Sequence, residues 1–225
     1  MKAKTAPILI MLASLALAVA PTGLERTTKV GDKSTYALVF DYKMPQGSGM
    51  FTSAVEEETK AVTATGFEVQ RTYKDTKVSV DGQDFPQNFP PYTLGYDKAG
   101  KVLTAAGDEV GADATRFIRM WTFVAPGKPV DVNDTWKVEE AEDKDAGKPA
   151  FEANFKMVGK DAVAGFDTAK VEFSAKETGD SKATAKGTFW IRLTDGATVK
   201  AEIDLVQAPN PGQPMDGKLT YSLKP

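Results

Sequence analysis

The sequence predicts an all-β protein: a strongly curved antiparallel sheet or half-barrel of meandering strands, with one short helix packed against it. Two observations carry this prediction. Between residues 151 and 206 the apolar side chains take alternate positions: Phe151, Phe155, Met157, Val171 and Phe173, then Ala183, Ala185, Phe189, Ile191 and Leu193, then Val199, Ala201, Ile203 and Leu205. Charged residues such as Glu152, Lys156, Glu172, Lys186, Lys200, Glu202 and Asp204 stand between them. A period of two with one apolar side is the pattern of antiparallel strands that cover a core with one face and meet water with the other. Breaks at residues 159–165, 179–181 and Asp195-Gly196 supply the turns of a four-strand meander. The second observation is that shorter alternating runs recur upstream, beginning with Tyr36, Leu38, Phe40 and Tyr42.

Residues 1–20 read as a targeting segment. Lys2 and Lys4 precede a short apolar run over residues 8–17, and small residues follow at Ala16, Ala18 and Ala20. Cleavage after Ala18 keeps Pro21 from directly following the cut, so the signal is placed at 1–18, with 20 as the other end-point. The competing reading is a membrane anchor, because the uncharged stretch 5–24 is about long enough to span. Its large apolar residues stop after about ten, and Pro7 and Pro21 lie inside it. The expectation is an exported protein, periplasmic or extracellular, with no stable membrane span after cleavage.

The remaining chain, 21–225, is expected to form a single β-rich domain. Residues 22–32 are a polar lead-in to the first, strongly aromatic strand. Residues 50–65 read as a strand pair, with Glu56, Glu57 and Glu58 facing solvent. Phe67, Val69, Arg71 and Tyr73, followed by Val78 and Val80, read as a hairpin around Asp75. Residues 81–92 hold three prolines and three aromatic residues without periodicity, so they form a loop. A short hairpin follows around residues 97–100. Residues 113–124 fit a helical stripe of Phe117, Met120, Trp121 and Val124 behind an Asp113 cap, and they alternate equally well as a strand. The helix is preferred because residues 114–120 are poor in β-branched side chains. A strand over 132–138, a charged hairpin or loop over 139–149, the meander and a last strand with Leu219, Tyr221 and Leu223 complete the chain. Val30-Gly31-Asp32 before Tyr36 echoes Val132-Asn133-Asp134 before Trp136, which admits two related halves, about 30–125 and 126–225.

Composition bounds the function. A chain of 225 residues removes roughly 70 % of its unfolded surface from water, so its core needs no metal or disulfide. The formal charge is −3, and loss of a segment carrying two lysines takes it to −5. That argues against nucleic acid and anionic lipid surfaces, which need a cationic face. The chain has neither Cys nor His. Imidazole and thiolate metal sites, His-activated nucleophiles and disulfide frameworks are therefore excluded.

From residue 126 onward the chain resembles exported bacterial β-proteins. The stretch PGKPVDVNDTW (126–136) leads into strands that end in GTFWIRLTDGATVKAEIDL (187–205), a layout similar to the LolA-like lipoprotein-carrier fold and to related uncharacterised exported families. The resemblance covers 126–223 and carries structural motifs, not catalytic ones. It implies a curved sheet around an apolar space that holds acyl chains.

Candidate chemistry is sparse. The paired acids (Glu56–Glu58, Glu139 with Glu140, Asp143 with Asp145) lie in runs of charge, which places them in water, where no carboxylate acquires the raised pKa of a general acid. Asp143, Asp145 and Gly147 lack the closing glutamate of a calcium loop, so no metal is expected. The 21–225 region has no Ser-x-x-Lys string. No enzyme and no cofactor are predicted. Trp190 points away from the face shared by Phe189 and Ile191, and either packs under a second layer or lines a groove. Phe85, Phe89 and Tyr92 either staple their loop or present a sticky surface. The leading expectation is a module that holds an apolar or amphipathic ligand, such as a lipid or lipoprotein acyl chain, within the curved sheet. The aromatic residues assigned to it are Trp121, Phe123, Phe155, Phe173, Phe189 and Tyr221. The alternative is a structural or interaction domain that meets an envelope protein partner and has a filled core.

Overall fold

The computed structural model describes residues 22–45, 47–108, 110–210 and 213–224; the expected targeting segment, residues 1–20, lies outside them. Twelve strands and one helix follow one another as β1 (Lys33–Met44), β2 (Gly47–Val62), β3 (Gly66–Val80), β4 (Gln83–Pro86), β5 (Tyr92–Asp97), β6 (Val102–Ala106), α1 (Ala112–Arg119), β7 (Thr135–Glu140), β8 (Phe151–Val163), β9 (Phe166–Glu177), β10 (Thr184–Arg192), β11 (Thr198–Ala208) and β12 (Met215–Leu223). All strands belong to one open antiparallel sheet in the order β6-β5-β3-β2-β1-β12-β11-β10-β9-β8-β7, with β4 off this path on β3. The first and last strands pair at its centre, with Leu38 opposite Tyr221 and Phe40 opposite Leu219.

The alternation read from the sequence orients the sheet. Phe155, Met157, Val171, Phe173, Phe189, Ile191, Val199, Ala201, Ile203 and Leu205 are all buried. Glu172 and Lys186, in the opposite phase, are exposed. Gly187 is required by a close approach: a Cβ there would lie 2.0 Å from the Glu202 carbonyl oxygen of the neighbouring strand.

Curvature follows from what α1 and its continuation touch. The Arg119 guanidinium reaches Glu177 at the end of β9 at 2.7 Å. Two residues on, Trp121 lies under Arg71 of β3 at 5.1 Å. These strands are six steps apart in the sheet, which in a flat sheet would separate them by about 29 Å. The sheet must therefore curl around the helix. Its two edges, β6 and β7, are bridged by the crossing segment and not by strand pairing. Lys101, just before β6, meets Glu140 of β7 at 3.7 Å. Ala125 N–H donates to the Ala99 carbonyl at 2.7 Å, and the Trp136 indole donates to the Val124 carbonyl at 2.8 Å.

Several local readings are corrected. Residues 50–65 do not form a strand pair, because β2 runs unbroken through most of them. Asp75 is not the tip of a hairpin. It sits at φ 51° inside β3, where the register against β2 shifts between Thr52 and Ala54. This is a bulge, which an Asp tolerates in the left-handed region. The buried hydroxyls of Ser53 and Thr76 pair at 2.8 Å across it. Part of the 81–92 loop is strand β4. The helix ends at Arg119, earlier than expected, where β-branched and aromatic residues lead to Pro126. The lead-in is less polar in fact than in composition, since Leu24 is buried in the main core.

An isolated eight-residue helix is unstable in water, and this one is held by its partners. Arg116 pairs with Asp113 one turn back at 2.8 Å and with Glu177 at 2.6 Å. Ile203→Asp would bury an unpaired carboxylate in β11 and is expected to cost more than about 4 kcal/mol, whereas Lys200→Gln on the opposite face should cost less than about 1 kcal/mol. Thermal unfolding of the two variants checks this; equal losses would contradict the assigned faces.

Candidate ligand-binding site

Strand β3 divides at its bulge. Residues Gly66 to Arg71 pair with β5, and Lys77 to Val80 pair with β4. Tyr73, between these two stretches, has no strand partner on that side among the described residues, and Phe89 of the proline-rich segment 87–91 packs against its ring. Under this gap, between α1 and the inner face of the sheet, lies an apolar cavity of about 520 Å³. Leu38, Phe40 and Tyr42 of β1, Phe51 of β2, Tyr73 of β3 and Leu219 of β12 form its floor. Ala114, Phe117, Ile118 and Trp121 form its roof, and Phe89, Pro90, Pro91 and Pro209 its rim. The volume lies in the range of small-molecule pockets, about 300–1,000 Å³. Polar tips in the wall satisfy one another: the Tyr73 and Tyr92 hydroxyls lie 3.0 Å apart. Burial, reinforced by Tyr92, holds the Tyr73 phenol well above its usual pKa, so this hydroxyl stays uncharged.

The aromatic loop is a rim element. Phe89 packs against Phe51 at 6.0 Å and Tyr73 at 5.9 Å, yet keeps about a third of its surface exposed. Phe85, on β4, is exposed.

Behind Trp121 the chemistry changes. Glu57, the middle residue of the acidic run, is buried at 3 % exposure, not solvated as the run of charge implied. Period two explains this: Glu57 shares the inner phase of β2 with Val55 and Thr59, and its neighbours Glu56 and Glu58 point out. It stands directly opposite Arg71. Its Oε1 accepts from Arg71 Nε at 2.8 Å and from the Tyr221 hydroxyl at 3.1 Å, and its Oε2 accepts from Arg26 at 3.2 Å. Burial alone would raise the Glu57 pKa, but the Arg71 and Arg26 cations outweigh it and hold the carboxyl below the usual range. Burial and the Glu57 charge push the nearby Tyr36 phenol up to about 12. Against the last turn of α1, Glu177 is likewise pulled down against burial by Arg116, Ser181 and Arg119.

The six aromatic residues assigned from the sequence divide between these regions. Trp121 lines the apolar cavity. Trp121, Phe123, Phe189 and Tyr221 surround the charged cluster. Phe155 and Phe173 belong to a packed aromatic column in which Trp136 and Phe155 stack at 5.4 Å and Phe173 meets Phe189 at 4.7 Å. The cavity walls from β1, β2 and β3 were not assigned, although the aromatic face of β1 and the neighbouring proline-rich segment signalled them. Trp190 lies neither in a groove nor under the helix. On the outer face it is covered by Lys170 and Lys200, whose ammonium groups lie 5.7 and 5.0 Å from its ring, and it donates to Asp161 at 3.1 Å. Among the described residues no cluster of acids has the geometry of a metal site and no helix is long and apolar enough to cross a membrane.

No protein-family model and no curated protein matches this chain. Among solved structures it is similar to one of lipovitellin, described in terms of lipid–protein interactions, with a TM-score of 0.49 and 9 % identity over 86 % of this chain and 25 % of that one. It is also similar to a Bacteroides fragilis protein described as exported and YmcC-like in fold, with a TM-score of 0.31 and 11 % identity over 92 % of this chain and 100 % of that one. Likeness at this level carries no conclusion about function.

A carboxylate whose pKa is depressed in the folded state contributes its full stabilisation above the ordinary glutamate value, near 4.3, and loses it as pH falls through the lower folded value. Glu57→Gln should therefore flatten the acid side of a melting-temperature profile. At neutral pH it should cost about 3–5 kcal/mol, because Arg71 and Arg26 lose their buried partner. Thermal melts across the acid range check this, and a profile parallel to wild type would contradict it.

Proposed function

We propose that this protein is an exported, non-enzymatic module that holds the acyl chain of a lipid or lipoprotein in the cavity between α1 and the sheet. The observation that carries this reading is the cavity itself. An apolar space of about 520 Å³ remains beneath the helix while the other half of the interior is filled by the aromatic column. The space is open to solvent on one side, and apolar surface left to water in a groove of this size favours an apolar occupant. Its wall supplies dispersion contacts and few polar groups, which suits a hydrocarbon chain and gives little purchase on a polar substrate. The buried acids Glu57 and Glu177 are each engaged by arginines, which leaves them poor proton carriers at neutral pH. Export rests on the targeting segment read from residues 1–20, and lipoprotein traffic on the LolA-like resemblance of residues 126–223.

Lipid extracted from the purified protein and identified by mass spectrometry is the first test. Protein that carries no lipid and takes up no fluorescent fatty acid would leave an interaction domain as the better account. Ala114→Phe pushes a ring from α1 into the cavity. It should weaken fatty-acid uptake by about tenfold or more, on the scale of overpacking penalties, and Trp190→Phe on the outer face should leave uptake unchanged.

A further inference from the structure

The small polar space behind Trp121 has donors that no described residue satisfies. Arg71 Nη1 and Trp121 Nε1 are both buried and meet no hydrogen-bond acceptor among the described residues. Their side chains are 6 % and 5 % exposed, stack on one another at 5.1 Å, and line a common space of about 60 Å³. Glu57 does not serve them. Its Oε1 is taken by Arg71 Nε and Nη2 and by Tyr221, and its Oε2 by Arg26. Arg26 and Arg71 against Glu57 leave one positive charge in excess around this space, with the Arg26 side chain 21 % exposed to water. A buried donor without an acceptor is costly, as is a buried charge without a counter-charge. Both deficits are met by one kind of group, an oxyanion that accepts from two N–H groups and neutralises the extra cation.

We infer that this space binds a carboxylate, held between Arg71 Nη1 and Trp121 Nε1. Trp121 lines both the polar space and the apolar cavity. A carboxylate seated at its indole nitrogen therefore lies next to the hydrocarbon-lined space that the same ring borders. Resting on the acyl-chain reading above, this names the ligand class as a fatty acid or another amphiphile with a carboxylate head, with head and tail in the two spaces that Trp121 borders. The same donors would accept a free small carboxylate.

Calorimetric titration of delipidated protein with dodecanoic acid, dodecanol and acetate separates these cases. Trp121→Phe keeps the ring and removes only the unpartnered N–H. Arg71→Lys keeps a cation opposite Glu57 and removes Nη1; circular dichroism establishes that both variants are folded. Wild type should bind dodecanoic acid about tenfold or more tightly than dodecanol, as expected for a charge-assisted hydrogen bond. In both variants the ratio of the dodecanoic acid affinity to the dodecanol affinity should fall towards one. Acetate binding that is weakened by Trp121→Phe, without uptake of either long-chain compound, would uphold the carboxylate site and overturn the acyl-chain reading. Equal affinities for dodecanoic acid and dodecanol in wild type, with acetate inert, would overturn the site, leaving water as its occupant. Failure of all three ligands to bind would overturn both.

Discussion

When β1 pairs along its length with β12, the edges of the sheet fall to β6 and β7, which are consecutive in the chain. The segment between them must then cross from one edge of an eleven-strand path to the other. It crosses the inner face, because that is where Phe117, Met120, Trp121 and Phe123 can be buried, and the sheet curls to meet it. The sheet's curvature, the helix that roofs the interior and the incomplete filling beneath that helix all follow from this connection. A crossing segment with one short helix fills the seam side and the Trp136–Phe155–Phe189 side, and leaves space under the stretch that bears Ala114 and Phe117.

Two buried ionic clusters fix how that segment sits. Glu177 takes Arg116 and Arg119 from the helix, tying it to the end of β9. Glu57 takes Arg71 across the β2–β3 pair, and Arg71 in turn stacks on Trp121. Buried ion pairs add little net stability compared with apolar residues of the same size, but they can specify register. A one-residue slip of β2 would still bring Glu56 or Glu58 opposite Arg71, but it would turn Val55 and Thr59 out to water, so the buried face and not the ion pair opposes it. The charged clusters thus tie the crossing segment to the sheet, and the apolar surfaces set the register and supply most of the driving force.

The period of two made most of the sheet legible. The four-strand meander, the aromatic first strand and the last strand stand where the alternation placed them, because one face of each is buried. The errors have physical causes. Asp75 carries the composition of a turn, and only the pairing of β3 on both sides of it shows a bulge. The acidic run was read by its composition, which implies water, when its phase places Glu57 beside Val55 on the inner face. Arg71 already alternated with Phe67, Val69 and Tyr73, and this inward cation was the sequence signal for a buried partner. The cavity was less legible. Alternation reports which side chains face inward, but whether they fill the space depends on where α1 crosses, and that is set by pairing between the two ends of the chain.

A crystal structure of the protein in complex with a fatty acid brominated at its terminal carbon would test this account most directly. Anomalous scattering should place the bromine between α1 and the sheet, beside Phe40 and Phe117, with the sheet otherwise unchanged. Bromine bound only on the outer face, or an interior closed by side chains under the helix, would contradict it.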